Sequence, residues 1–430
     1  MKKSLIRLSI TALLCVASVI SLSAQSLIDE IAATPGKAGG VYYAYPVSTS
    51  LNTPAPEGYS PFYISHYGRH GSRYLIGDDD YRLVLEKLRD AADHNALTPL
   101  GLDVKQRLEQ VWEEAHGRGG ELTPLGNRQH RAIASRMAEA FPEVFAEGAT
   151  VTASSTTVMR CAHSMFAFIE GLKSKFPYLE IPRESGQRDM YFLNYHAPES
   201  GIYSSHNGPY YQVWKKFRAD KTRPDRLVAS LFADSQYVAT WVDPGELMWQ
   251  LYWVAVDMQN METPISFFDI FTTEELYGLW QSFNFQFFGC NSSYAPAGGA
   301  LTANARNLVN DILVNADRCI ATGGHGAKLR FGHDGNIVPL TALLRLDGCY
   351  TDHTDPETLG NYWADFKVSP MAANLQIIFF RNDAGDILVK FMLNEREIAT
   401  AVDTDIFPFY HWNDVRQYLI GIVDGSITAP

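Results

Sequence analysis

Cysteine is scarce in this chain, with five in 430 residues. No two are spaced closely enough for a zinc-binding pair. Beyond residue 24 only Cys161, Cys290, Cys319 and Cys349 remain, a count that permits two disulfides in an exported protein, in three connectivities, with Cys161 also a candidate free thiol. After its first segment the chain has no apolar run long enough to span a bilayer. Basic residues are outnumbered, 36 Lys and Arg against 48 Asp and Glu, and the formal charge of −12 argues against nucleic acid as a partner. No H-E-x-x-H, G-x-S-x-G or EF-hand pattern occurs, so metal hydrolase, serine hydrolase and calcium chemistry have no support. "GGHGAK" at Gly323–Lys328 lacks the spacing of a nucleotide-binding loop and the Ser or Thr that would follow it.

What is present is a large apolar fraction, 46% hydrophobic and 12% aromatic, enough for one large core or two moderate ones. Residues 1–24 have the layout of a secretory signal: Lys2, Lys3 and Arg7, an apolar run from Leu8 to Ile20, and small residues ending at Ala24. The expectation is a mature chain starting at Gln25 with a charge of −15, periplasmic or secreted, and not held at a membrane once the signal is cut.

The apolar pattern reads as α/β. A strand is expected over Ser60–Ser65, breaking at Tyr67-Gly68, then a helix after Asp78–Asp80 with Tyr81, Val84, Leu85, Leu88 and Ala92 on its apolar face. "LTPLG" occurs at Leu97–Gly101 and at Leu122–Gly126, each time giving Thr as N-cap and Pro as the first helical residue. Ala149–Thr156 alternates as a strand and leads into a helix with Arg160 in its first turn. Ala327–Phe331 does the same, followed by "GHDGN" and a helix over Ile337–Leu346, where Asp334 also suits an N-cap. "LQIIFF" and "ILVKFML" around "RNDAGD" predict a hairpin. The domain plan is therefore an α/β unit from residues 25–177 and 311–430, with 178–310 as a mostly helical cap whose crowded aromatics form core.

Three strand ends enter polar loops: Arg69-His70-Gly71-Ser72-Arg73, Arg160, and His333-Asp334. Ligands of α/β domains bind at such ends. Arg69, Arg73 and Arg160 offer planar forks of donors that match the oxygens of a phosphate monoester. Between them His70 is a candidate nucleophile forming a phosphohistidine, His333 a further phosphate donor and Asp334 the general acid. The repulsion among these cations is relieved when the anion arrives. "KKFRADKTRPDR" at Lys215–Arg226 is the densest basic run, readable as a wall for extra phosphates or as a solvated helix end.

"RHGSR", followed in order by "STTVMRCAHSMFAFIEGL" and "LRFGHDGNIVPLTALL", resembles the histidine acid phosphatases, the secreted branch of the histidine phosphatase superfamily that includes phytases and multiple inositol-polyphosphate phosphatases. "LTPLGNRQHRAIASRM" resembles the family's helix before the second motif. The likeness implies a phosphoglycerate-mutase-like three-layer α/β domain with an α-helical cap. It implies His70 as nucleophile, Arg69, Arg73, Arg160 and His333 as phosphate ligands, and Asp334 as proton donor, with no metal or cofactor. The expected substrate is a small phosphate monoester, foremost an inositol polyphosphate such as phytate. A broad-specificity or sugar-phosphate acid phosphatase, and a non-catalytic protein that binds phosphorylated ligands, stand as alternatives. The His333-Asp334 donor resembles the bacterial phytases, and "RHGSRY" the inositol-polyphosphate phosphatases.

Overall fold

The computed structural model describes residues 27–47 and 52–427; the secretory-signal segment expected at residues 1–24 lies outside them. A single mixed sheet organises the molecule, with β1 (Ser60–Arg69), β2 (Thr150–Ser155), β3 (Arg183–Glu184), β4 (Gly326–Gly332), β5 (Asn374–Arg381), β6 (Ile387–Leu393), β7 (Arg396–Glu397) and β8 (Phe409–His411). Its order is β3-β2-β4-β1-β5-β6-β7, with β8 also paired to β6. β1, β2, β3 and β4 run parallel, whereas β5 pairs antiparallel with both β1 and β6.

Side chains alternate between the two faces, as the period of a strand demands. Ile378 and Phe380 of β5 join Ile64, Leu329 and Phe331 against the helices Pro124–Ala140 and Met159–Lys175. Leu375, Ile377 and Phe379 face the opposite way, toward helices Arg306–Thr322, Asp334–Leu343 and Trp412–Asp424. This is the expected three-layer α/β arrangement. A third apolar cluster lies away from the sheet and joins helices Asp79–Asp93 and Pro99–Ala115 to helices between Asp225 and Asn291. Most of the aromatics expected as core are buried there or in the neighbouring cluster, including Tyr210, Trp214, Trp249, Tyr252, Trp280 and Phe285. We propose that the helical cap draws on two excursions of the chain, 79–115 as well as the segment after 178.

Several local expectations are refined. β1 continues through Tyr67 and Gly68 to Arg69 because both neighbouring strands pair it there, Gly68 with Phe331 and with Asn374. In the helix that follows, Ala91 is fully buried and Ala92 only partly so. Both "LTPLG" segments form as expected: Thr98 and Thr123 accept from the backbone N–H of Gly101 and Gly126, with Pro at the first turn. Each cap is worth about 1 kcal/mol. The helix after β4 starts at Asp334 rather than Ile337, with His333 and not Asp334 in the N-cap position. Cys161, Cys290, Cys319 and Cys349 are all free thiols, Cys161 and Cys349 buried.

Two buried imidazoles, His66 on β1 and His130 on the helix Pro124–Ala140, have ring nitrogens without a hydrogen-bond partner. His66 packs against Phe168 and Phe331 at ring-centroid distances of 4.9 and 5.2 Å, and His130 lies 5.7 Å from Phe331. Burial pushes each of them down to about 3. A histidine held neutral in the fold but protonated when unfolded destabilises the fold as pH falls between those two values, by about 1.4 kcal/mol per pH unit. Two buried carboxyls act in the opposite sense, since Asp257 and Asp365 are raised by burial to about 6 and about 7. Replacing His130 with Leu should therefore shrink the loss of unfolding free energy between pH 7 and pH 4.5 by about 2–3 kcal/mol. Urea titration at the two pH values measures this, and an unchanged difference contradicts it.

Candidate active site

The parallel strands end together. Arg69 pairs with Gly332 and Ser155 with Phe331, so β1, β4 and β2 deliver His70, His333 and Thr156 to one edge of the sheet. Two main-chain bonds fix this edge: His70 N–H donates to Gly332 O at 3.0 Å, and Thr156 N–H to Phe331 O at 3.0 Å. Arg160, the second residue of the Met159–Lys175 helix, follows directly after β2. The structure thus brings together Arg69, His70, Arg73, Arg160, His333 and Asp334.

Close packing sets the path of the motif loop. A Cβ at Gly71 would lie 2.5 Å from Gly126 O, and one at Gly126 would lie 2.2 Å from Ser72 O. Neither position can carry a side chain without moving backbone, which explains the glycine that ends the second "LTPLG". Gly71 N–H donates to Ser164 Oγ at 3.1 Å, and Ser164 Oγ donates to Arg160 O at 2.8 Å. The Arg69–Arg73 loop and the Arg160 helix are therefore tied through one hydroxyl. Gln129 holds Ser72 by accepting from its N–H at 2.9 Å.

The ring of His70 is buried, and its Nδ1 lies 2.9 Å from Gly71 O. A carbonyl oxygen can only accept, so Nδ1 carries the hydrogen and the Nε2 lone pair is free. Burial first, then the guanidiniums of Arg69, Arg160 and Arg73, hold this imidazole well below its ordinary value. It stays neutral in acid. Arg69 is fully buried and donates through Nη1 to Val41 O at 2.5 Å and to Ser369 O at 2.9 Å. Its Nη2 makes an ion pair of 2.6 Å with Asp334 Oδ2, a carboxylate about a quarter exposed at 25%. Burial raises the Asp334 carboxyl, but Arg69, His333 and Arg73 outweigh it and hold the group below the usual carboxylate range. Arg73 stands over the ring of Tyr42 at 4.7 Å and donates to Tyr74 O.

His333 faces His70 with ring centroids 5.8 Å apart. Its Nε2 lies 3.1 Å from Thr156 Oγ1, and burial lowers the imidazole to about 4. The buried thiol of Cys161 lies 3.6 Å from the same nitrogen and donates to Gly332 O at 3.2 Å. Burial pushes that thiol up to about 12, which leaves it an unreactive packing group. Among the described residues no group of three His, Cys, Asp or Glu side chains is placed to hold a metal ion.

With this geometry the chain can be compared with known proteins. Residues 244–394 match the model of the histidine phosphatase superfamily, branch 2, a stretch that contains His333 and Asp334. The multiple inositol polyphosphate phosphatase of Bifidobacterium longum, solved with phosphate, superposes with a TM-score of 0.73 at 19% identity, covering 90% of this chain and 98% of that one. The chain has the fold of these phosphatases. The same Bifidobacterium protein has been solved with inositol hexasulfate. The phytase of D. castellii gives a TM-score of 0.64 at 16% identity, over 91% of this chain and 85% of that one. A Hafnia alvei phytase in complex with myo-inositol hexakis sulphate gives 0.55 at 13% identity, over 87% and 100%. No curated protein matches the chain in sequence.

Sequence reading missed the residues that hold the motif in place. Thr156, Gln129, Ser164 and Tyr42 belong to ordinary-looking stretches, and only the fold reveals their partners. The basic run at Lys215–Arg226 resolves toward the solvated helix end. Arg218 stacks on Trp249 at 4.4 Å, Lys221 pairs with Glu357 at 2.6 Å, and Arg226 pairs with Glu275. No helix among the described residues is long and apolar enough to cross a membrane.

Proposed function

We propose that this histidine phosphatase is an exported phosphomonoesterase that works through a phosphohistidine on His70. The observation that carries this reading is a neutral imidazole with its Nδ1 hydrogen pinned on Gly71 O, set among three guanidiniums and facing the His333–Asp334 pair. Arg69, Arg73, Arg160 and His333 would bind the peripheral phosphate oxygens and meet the charge that develops on them. His70 Nε2 attacks phosphorus, the N–P bond forms and the ester P–O bond breaks. The leaving alkoxide takes its proton from Asp334. Water then attacks the phosphohistidine, giving its proton back to Asp334 as the N–P bond breaks and inorganic phosphate departs.

Asp334 begins this cycle as a carboxylate paired with Arg69. A bound dianion competes for Arg69 and adds negative charge beside the carboxyl, and both effects raise its affinity for a proton. The substrate therefore loads its own acid, and activity favours mildly acidic conditions, where His70 is still neutral. Export rests on the signal-like segment at residues 1–24.

Inositol polyphosphates are the substrate class we favour. A cavity of about 490 Å³ lined by Arg118, Arg128, Arg131 and His163 runs along the two helices that flank the motif loop, the second of which carries Arg160. It has no acid in its lining, although Arg118, Arg128 and Arg131 pair outside it with Glu121, Glu262 and Glu170. Further phosphates on a ring whose first phosphate sits at His70 would meet these donors. Truncating Arg118 to Ala should raise KM for phytate roughly fivefold more than KM for p-nitrophenyl phosphate, the worth of about 1 kcal/mol for a partly exposed charge contact. Equal changes on both substrates would remove this cavity from the account. The broader reading is tested by phosphate release from phytate in the presence and absence of a chelator, and no release from any monoester would overturn it.

A further inference from the structure

Arg73 shares with Arg69 and Arg160 a buried Nε that has no hydrogen-bond partner. Its neighbours Ser72 and Leu75 lie in a loop. Yet both sides of that loop are tied to one side chain far along the sequence. Asp257, at the end of helix Pro244–Asp257 and fully buried, accepts from Tyr81 Oη at 2.6 Å through Oδ2. Tyr81 Oη in turn accepts from Leu75 N–H at 2.8 Å, two residues after Arg73. Through Oδ1, Asp257 accepts from Asn260 Nδ2 at 3.3 Å. Asn260 Oδ1 accepts from Ser72 Oγ at 2.8 Å, one residue before Arg73, and its Nδ2 also donates to Tyr42 O at 2.9 Å. Tyr42 is the residue whose ring lies under the Arg73 guanidinium.

We propose that Asp257 is the positioning residue for Arg73, clasping the phosphate-binding loop on both sides from the helical segment. This inference rests on the phosphatase reading. Two neutral tethers would suffice to fix a loop, and polar groups at these positions could be satisfied by backbone. A buried carboxylate costs more than an amide to bury and is retained where it faces a cation. Burial raises the Asp257 carboxyl to about 6, and the bond from Tyr81 and then the charge of Arg73 offset only part of that rise. Asn260 and Tyr81 then act as its two arms, one reaching the residue before Arg73 and one the stretch just after it.

The test compares Asp257→Asn, Tyr81→Phe, Arg73→Ala and the double variant Asp257→Asn/Arg73→Ala. The probes are p-nitrophenyl phosphate kinetics and inorganic phosphate binding by calorimetry. Asp257→Asn should raise KM and the phosphate dissociation constant about tenfold while kcat changes less than threefold, and Tyr81→Phe should move the same quantities in the same direction. In the Arg73→Ala background the Asp257 change should add less than twofold. If Asp257→Asn does not fold, the Tyr81→Phe variant carries the KM and kcat comparison alone. Wild-type KM in Asp257→Asn or Tyr81→Phe overturns the proposal. So does a double variant whose losses multiply, the mark of a merely structural effect. A wild-type protein that releases no phosphate would instead overturn the phosphatase reading.

Discussion

Replacing His70 with Ala is expected to lower phosphate release by on the order of 10⁴-fold or more, because it removes the atom that forms the bond to phosphorus and not simply a contact. The neighbouring arginines remain, so the variant should still bind inorganic phosphate, and more tightly if the space left by the ring admits water. This separates the nucleophile reading from a site that only binds. The decisive readout is rapid quenching with labelled substrate: the wild type should yield an acid-labile phosphoramidate on the protein and the variant none. His70 can serve in acid because burial and three cations keep its proton affinity far below normal. An exposed histidine would be protonated and inert below pH 6. Release at the wild-type rate from His70→Ala would sink the mechanism.

The second large effect concerns Asp334. Changing it to Asn removes the proton donor and also the ion pair with Arg69, two consequences that move different constants. For an alkyl ester such as phytate, whose alkoxide cannot leave unprotonated, kcat should fall about 10²–10⁴-fold. For p-nitrophenyl phosphate, whose phenolate leaves on its own, the fall should stay under about tenfold. KM should not rise on either substrate, since a carboxylate that competes with phosphate for Arg69 has gone. Equal losses on both substrates would show that Asp334 is not the acid. The pairing also has a cost for the fold in acid. A carboxyl lowered by Arg69 contributes stability above the ordinary carboxyl range, and that contribution is lost as pH falls through its lowered value.

The parts of the site that were legible in the sequence are those where chemistry demands a residue type. Arg69, His70, Arg73, Arg160, His333 and Asp334 were recognisable because clustered cations beside an imidazole make little sense without an anion, and the strand-then-helix pattern placed each at a strand end. The α/β class followed from the same alternation of periods, the three-layer arrangement from the resemblance to the histidine acid phosphatases, and the two Thr-Pro caps from local capping rules. What stayed hidden depends on contacts between distant segments. Nothing local to Thr156 says that it meets His333, 177 residues on. Asp257 and Asn260 lie at the end of a helix that reads as ordinary aromatic core. The end of β1 was placed too early because Tyr67-Gly68 looks like a turn, whereas pairing on both edges keeps it extended. The helix start at Asp334 was placed too late for a related reason, as a glycine and an asparagine at its beginning carry no apolar signal.

The donors of Arg69 end on Val41, Ser369 and Asp334, groups 28, 300 and 265 positions away in the chain. Of these only Val41 precedes the motif; Ser369 and Asp334 are absent from a nascent chain that has only reached the helical segment, and the guanidinium cannot take its final orientation until residues from the last quarter have packed. A partly made chain therefore carries the Arg69–Arg73 motif intact but without the contacts that orient Arg69 in the proposed phosphate site. On the proposed mechanism, catalytic competence arrives only with the closing of the sheet by β5, so the topology withholds activity until synthesis is nearly complete.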